Sequence, residues 1–435
     1  MRFQRIQGAI RSGAGASGFL FLRVGVCREN PVWCHDARWH GKRTPRLDKE
    51  GMTEIVFWIA AGLIAYIYIG YPVLAYVLAR FRTAPACTDS YTPDVTIVIA
   101  AYNEKRHIGA TIENKLSQHY PAEKIEIIVV SDGSSDGTDD VVMRYASGPG
   151  QVRLLRQTPR AGKTSALNLA VAQARGEIVV FSDANSIYRP DSVAQLVRNF
   201  CDPAVGYVTG KMVYGNPDGT SVGDGCTAFM RYENFIRRQE SRLGSIVGVD
   251  GGIDAVRRSL YVRMRPDQLP DFVLPLSVVA RGYRAVYEPS AILTEDALRS
   301  GNDEYAMRVR VALRALWAML DVRELFNPLK HGIYAWQLLS HKALRYTAFV
   351  PLVALFVSNA VLISGAHGIF FEEVFGGQVA LWFLALTGRV FEGRRTQNRV
   401  STFAYYFALL NIASAHAFLK FALRQKKVIW EPRTG

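Results

Sequence analysis

The chain reads as an α/β protein, with a doubly wound, mostly parallel sheet set between transmembrane helices. Three observations predict this. From Val95 to Asp183, β-branched apolar runs alternate with helical stretches, as in successive βαβ units. Ile55 to Ala79 is 25 residues without a charge, enough to cross a hydrocarbon core of roughly 30 Å at ~1.5 Å per residue, and further apolar stretches crowd the last 95 residues. Finally, VTIVIAAYNE from Val95, SDGSSDGT from Ser131, AGKTSALN from Ala161, FSDAN from Phe181 and LPDF from Leu269 each set carboxylates or small residues just after an apolar run. An open α/β sheet binds its ligand there, beyond the carboxyl ends of its strands.

The elements follow in order. Residues 1–51 form a basic leader without an apolar signal-type core. Met52 opens a natural membrane-helix start, so the leader is expected to be a disordered tail or a mis-assigned upstream extension. A first span is expected at 54–79, with Arg80 and Arg82 marking a cytoplasmic flank. Residues 83–93 read as a linker. Strands are expected at 95–101, 125–131, 152–157 and 177–183, with helices at 105–118, from Thr138 to about Tyr145, and at 164–175. Asp136 and Thr138 are the capping candidates for the second helix. Beyond Pro190 the pattern gives a helix, a strand at 205–214, a helix at 222–243, a helix at 271–283 ended at Gly282, and a short strand AVYEP.

Residues 303–320 are amphipathic, with Val309, Leu313, Leu316 and Leu320 on one face and Arg308, Arg310 and Arg314 around it. That stripe suits either the membrane interface or the domain core. The expected domain runs over 90–325, an interfacial segment over 326–345, a membrane region over 346–423 and a basic tail over 424–435. Two or three C-terminal spans fit: Tyr346–Ile363, Val374–Gly388 and Thr402–Leu423. The loop through Glu373 lacks Lys and Arg, while the next carries Arg389, Arg394, Arg395 and Arg399, as the positive-inside rule requires. Three spans would nevertheless put the basic tail outside, unless one stretch only dips into the membrane.

The net charge is +14, of which the leader supplies +6 from ten Lys/Arg and four Asp/Glu. In a membrane protein such a surplus faces anionic lipid. No dense basic and aromatic run points to nucleic acid as a partner. Cys27, Cys34, Cys87, Cys201 and Cys226 are odd in number and scattered, which fits a reducing compartment. Cys27, Cys34, His35 and His40 match no usual zinc-finger spacing. GKT at Gly162 is not a P-loop, because Gln157 stands where the first glycine is needed, and no GxGxxG follows the first strand.

Taken together, these motifs resemble membrane-bound family-2 glycosyltransferases of the GT-A fold, the cellulose-synthase-like and exopolysaccharide type, over about residues 90–320. The resemblance implies an inner-membrane, multi-pass enzyme with a cytoplasmic catalytic domain. It would move a sugar, with inversion, from a nucleotide donor, UDP-linked by expectation, to a lipid-linked or glycan acceptor. Ala101, Tyr102 and Glu104 would border the nucleoside, Asp132 would bind base or ribose, and Gly162, Lys163 and Asn168 would bind the nucleotide sugar, with Lys163 neutralising phosphate. Asp183 and Asn185 occupy the Asp-x-Asp positions, which implies Mg²⁺ or Mn²⁺, although Asn185 lacks the second charge. Asp271 would be the base that takes the acceptor proton; Pro270 replaces the first acid of the usual pair. Asp250, Gly251 and Gly252 would line the acceptor pocket. In the Gln-x-x-Arg-Trp motif of polymerising members, Arg310 matches and would face the diphosphate, while Met307 and Val311 depart, which favours addition of one or a few sugars. A processive synthase and a membrane-anchored, non-catalytic binding protein are the alternatives.

Overall fold

A computed structural model describes residues 49–82, 91–147, 150–215, 221–296, 300–365, 368–392 and 398–426. Most of the leader, the possible zinc ligands, most of the linker, Arg394, Arg395 and the tail after Lys426 lie outside them.

Eight strands form one sheet: β1 (Val95–Ala101), β2 (Ile125–Ser131), β3 (Val152–Arg156), β4 (Ile178–Asp183), β5 (Ile187–Tyr188), β6 (Val205–Gly215), β7 (Asp254–Arg257) and β8 (Arg284–Asp296), in the order β3-β2-β1-β4-β7-β6-β8-β5. β1 to β4 are parallel neighbours, as are β6 and β8, whereas β7 runs antiparallel between β4 and β6 and β5 pairs antiparallel with β8. The period-2 alternation of β1 and β2 divides the core into two layers. Val98, Ile128 and Val130 face α5 (Lys163–Val171), α8 (Pro270–Ala280) and α9 (Gly301–Asp321). Ile97, Ile99, Ile127 and Val129 face α3 (Ile108–Leu116), α4 (Thr138–Ala146) and α6 (Ser192–Arg198). These strand side chains are wholly buried, each worth about 1.5–3 kcal/mol relative to exposure.

Two strands were not anticipated. β5 is two residues long, and β7 reads DAVR, charged at both ends, so neither carries a period. β8 outruns the expected AVYEP because Pro289 falls in a register break between Tyr287 and Ile292, where proline costs no ladder bond. The helix expected over 164–175 stops at Val171, so Gly176 does not end it. A Cβ there would lie 2.4 Å from Thr96 N, so close packing of the chain onto β1 demands glycine.

The apolar helices build outward from this domain. α1 (Lys49–Ala65) continues through a π-turn (Tyr66–Gly70) into α2 (Tyr71–Phe81). α2 packs on α7 (Ser221–Leu243), with Tyr76 stacked on Phe235. After α9, the short helices α10 (Pro328–His331), α11 (Ile333–Gln337) and α12 (Leu344–Tyr346) lead to α13 (Phe349–Leu362), α14 (Ile369–Val390) and α15 (Arg399–Ala422). Glu50–Phe81, Ile369–Val390 and Arg399–Ala422 are long and apolar enough to cross a membrane, and Ile333–Tyr346 with Phe349–Leu362 forms a pair bent by 58°. The loop expected to last through Glu373 is shorter, since α14 begins at Ile369.

Phe57 of α1 packs with Leu362 and Phe371, so the α13–α14 turn lies at the α1 end remote from the domain. The other end of α14 returns, with Arg389 Nη2 3.0 Å from Asn302 Oδ1. α15 behaves differently. Tyr406 OH donates to Glu304 Oε1 at 2.6 Å near its start, and Lys426 Nζ donates to Asp267 Oδ2 at 2.8 Å just past its end. Both ends of α15 therefore rest on the α/β domain, alongside α9. The α9 stripe is shared: Val309, Ala312 and Leu313 meet Ala413 and Ala417 of α15, while Ala315, Leu316 and Met319 join the domain core. Leu320 stays exposed. Cys226 is a buried free thiol, but Cys201 is disulfide-bonded.

Candidate active site

The carboxyl edge of β1, β2 and β4 organises the site. Asp132 follows β2 and is buried. Its carboxylate accepts the side-chain N–H of Gln157 and the backbone N–H groups of Ala161 (2.8 Å) and Gly162 (2.9 Å). The loop that opens α5 is thus pinned on one carboxylate. Gly162 takes φ +89°, a conformation favouring glycine, and the next residue aims Lys163 across the crevice.

Lys163 Nζ donates to Asp183 Oδ1 at 2.6 Å and lies 3.9 Å from Asp271 Oδ2. Asp183 ends β4 and Asp271 stands in the first turn of α8. Three segments far apart in sequence converge on one ammonium. Burial pushes the Asp271 carboxyl above the usual carboxylate range, with Lys163 pulling the other way. Burial would lower the Lys163 pKa, but Asp183 and Asp271 override it and hold the ammonium charged.

Gly251 (φ +79°) and Gly252 (φ +77°) run between the acids. A Cβ on Gly251 would lie 2.6 Å from Asp271 Oδ2, and one on Gly252 would lie 3.3 Å from Asp183 Oδ2. Asp250 forms a bidentate pair with the buried Arg237. That carboxylate is a fixed wall of the site, with its charge already matched.

The remaining expected residues divide. Ala101 is buried, and its carbonyl accepts Asp132 N at 2.8 Å. The Tyr102 ring lies under the Arg160 guanidinium, 3.5 Å from its centroid. Glu104 Oε2 lies 3.0 Å from His107 Nδ1, and the Glu104 backbone N–H donates to Thr138 Oγ1 at 2.9 Å. Asn185 Nδ2 donates to Glu295 Oε1 at 3.1 Å. Asn168 does not face the acids. Its amide donates to Met264 O and accepts from Tyr261 OH and Met264 N, so it ties α5 to the 261–264 segment. Arg310 is likewise elsewhere, lining a groove with Lys420 and Lys426. One helical turn on, the buried Arg314 is the arginine coupled electrostatically to Asp271. The i, i+4 spacing on an amphipathic helix could have offered it.

Two further groups escaped the sequence reading. Asp254 opens β7, opposite Phe181 in the register, and is fully buried. Burial, with Asp271 next, pushes its carboxyl up to about 8. Lys115 is buried behind β5, donates to Ser186 O at 2.7 Å and lies over the Tyr188 ring. Asp254 stands just past the Asp250–Gly252 stretch that did draw notice, and Lys115 sits in a helix outside the motifs.

Residues 96–264 match the model of Glycosyl transferase family 2. The chain therefore carries a family-2 glycosyltransferase domain. It is 27% identical over 268 residues to the poly-beta-1,6-N-acetyl-D-glucosamine synthase of Staphylococcus aureus (strain COL), covering 60% of this chain and 64% of the synthase. It is 27% identical over 306 residues to the probable glycosyltransferase YdaM of Bacillus subtilis (strain 168), covering 67% of this chain and 71% of that relative. Among solved structures, it shares its fold with a mannosyltransferase from Pyrobaculum calidifontis in complex with GDP-Man and Mn²⁺ (TM-score 0.64, 24% identity, 85% of this chain and 99% of that one). The sheet is thus of the GT-A type.

Proposed function

We propose that this chain transfers a sugar, with inversion, from a UDP-linked donor to a hydroxyl of a glycan or lipid-linked acceptor, at the cytoplasmic face of a cell inner membrane, in the synthesis of surface polysaccharide or glycolipid. One observation carries the reading: Lys163 stands between Asp183 and Asp271 at the end of a loop held by Asp132.

Each group has a task in such a transfer. Asp132 and the Ala101–Tyr102 strand end grip the nucleoside. Lys163 neutralises the diphosphate as it departs. Asp271 takes the acceptor proton while the anomeric carbon–oxygen bond breaks on the opposite face, and its raised pKa makes it a stronger base than an exposed aspartate. Arg314 adds positive charge beside it.

Asp183 and Asn185 offer hard oxygen donors at one strand end, which suits Mg²⁺ or Mn²⁺. Among the described residues no cluster of three or more His, Cys, Asp or Glu could cage a metal, so the donor's phosphates would share the ion. Bound there, it would stabilise negative charge on the leaving diphosphate.

The test is diphosphate release from a panel of sugar nucleotides, with Mn²⁺ or Mg²⁺, by the full chain in native membranes. Asp271→Asn should keep nucleotide binding and lose transfer by about 10²–10⁴-fold. No release from any donor would leave a non-catalytic binding protein. A processive synthase is the second reading, favoured by the polymer synthase among the relatives. Product length on a sizing gel separates it from single addition.

A further inference from the structure

A groove of about 320 Å³ runs between α9 and α15. Val309 and Leu313 form its apolar floor, and Arg310, His416, Lys420 and Lys426 supply its polar lining. No carboxylate lines it among the described residues. Asp267 engages Lys426 from outside the lining, at 2.8 Å, and His416 Nδ1 lies 2.8 Å from Tyr305 OH. Cations over an apolar floor suit an anion that carries hydrocarbon.

The surroundings say where that anion would come from. Ile412, His416 and Lys420 follow one another at i, i+4 along α15, and Ile412 is half exposed. Phe418, Leu419 and Leu423 are exposed beside Lys420 and Arg424. Ala404 and Ala408 of α15 pack on Ala385 of α14, one of the helices fit to cross a membrane. Because both ends of α15 rest on the domain, the helix lies along the domain's edge, beside α14. An exposed apolar edge flanked by cations is the pattern of a helix lying in the plane of a bilayer surface.

We propose that the α9–α15 groove binds the phosphate headgroup of an anionic phospholipid, seating α15 in the bilayer interface beside the α/β domain. This rests on the membrane reading above and adds a site outside the catalytic crevice.

Native mass spectrometry of the detergent-purified full chain tests it, with phosphatidylglycerol, phosphatidylcholine, decyl phosphate and inorganic phosphate as separate probes. Wild type should retain phosphatidylglycerol over phosphatidylcholine. Charge reversal in Arg310→Glu/Lys420→Glu should weaken that retention by about tenfold or more, while Arg310→Lys/Lys420→Arg keeps it. Thermal unfolding confirms that each variant is folded; if the double reversal is not, Lys420→Gln alone should weaken retention about threefold. Equal retention by wild type and folded charge-reversal variants overturns the proposal. So does tighter binding of inorganic phosphate than of lipid, or glycosylation of decyl phosphate bound in this groove, which would make it an acceptor site. Donor hydrolysis is measured on the same preparations. An inert protein that still selects phosphatidylglycerol sinks the catalytic reading and supports this one.

Discussion

Gly251 is the surface against which the Asp271 carboxylate rests: a Cβ there would lie 2.6 Å from Oδ2, on a backbone at φ +79°. Space and conformation independently require glycine. Gly251→Ala should cost about 1–2 kcal/mol in backbone conformation and push the base out of line. A misplaced reacting group costs about 10²-fold in rate. The check is kcat for transfer with nucleotide affinity measured in parallel. Undiminished kcat in a folded variant would remove Asp271 from the reaction.

Lys163 serves two carboxylates, so its loss has two effects. In Lys163→Met the diphosphate loses a cation, and kcat/KM should fall by about 10²–10³-fold. Asp271 also loses the charge that opposes its burial. Its pKa then rises further, and a base works only when ionised. The acidic limb of the pH–rate profile should therefore move to higher pH in the variant. An unmoved limb would mean that Asp271 is not the titrating base.

Asp254 links stability to pH. Its folded-state carboxyl titrates at about 8, against an ordinary 3.8. Between those values the folded protein holds a proton that the unfolded chain has released, so stability falls as pH rises through that window and levels off above it. Asp254→Asn removes the proton exchange. The variant's melting temperature should gain on wild type from pH 5 to pH 8, measured by thermal scans at each pH. A constant gap would show that Asp254 is ionised throughout.

Much of this was legible before any coordinates, for a physical reason. A buried parallel strand needs a continuous apolar run, and the acids at its end follow directly, so Asp132 and Asp183 could be read from VTIVIAA-type patterns. Asp271 came through the family resemblance, and the fold then brought it to Lys163. What stayed hidden depends on tertiary contact. The partners of Asn168 lie about 95 residues away, and nothing local distinguishes an amide that binds the nucleotide sugar from one that ties down a segment. Arg310 and Arg314 share a helix, and only packing tells which one meets Asp271. β7 is too short and too charged to carry a period.

The course of the C-terminal helices gives the last prediction. Hydropathy alone counts Arg399–Ala422 among the helices able to cross a membrane, and three C-terminal crossings would strand the basic tail on the far side. The contacts point to two. α13 leaves the domain toward Phe57, α14 returns to Asn302, and α15 never departs, with Trp317 Nε1 bonded to Gln425 O at 3.0 Å. Arg80, Arg389, Arg399, Arg424 and Lys426 then share one side, as the positive-inside rule asks. Single cysteines at Asn302 and Gln425, with native thiols blocked beforehand, should react with a membrane-impermeant maleimide from the same side of sealed vesicles. One at Ser364 should react only from the opposite side. Labelling of Gln425→Cys from the Ser364 side would make α15 a true span and leave its contacts with α9 unexplained.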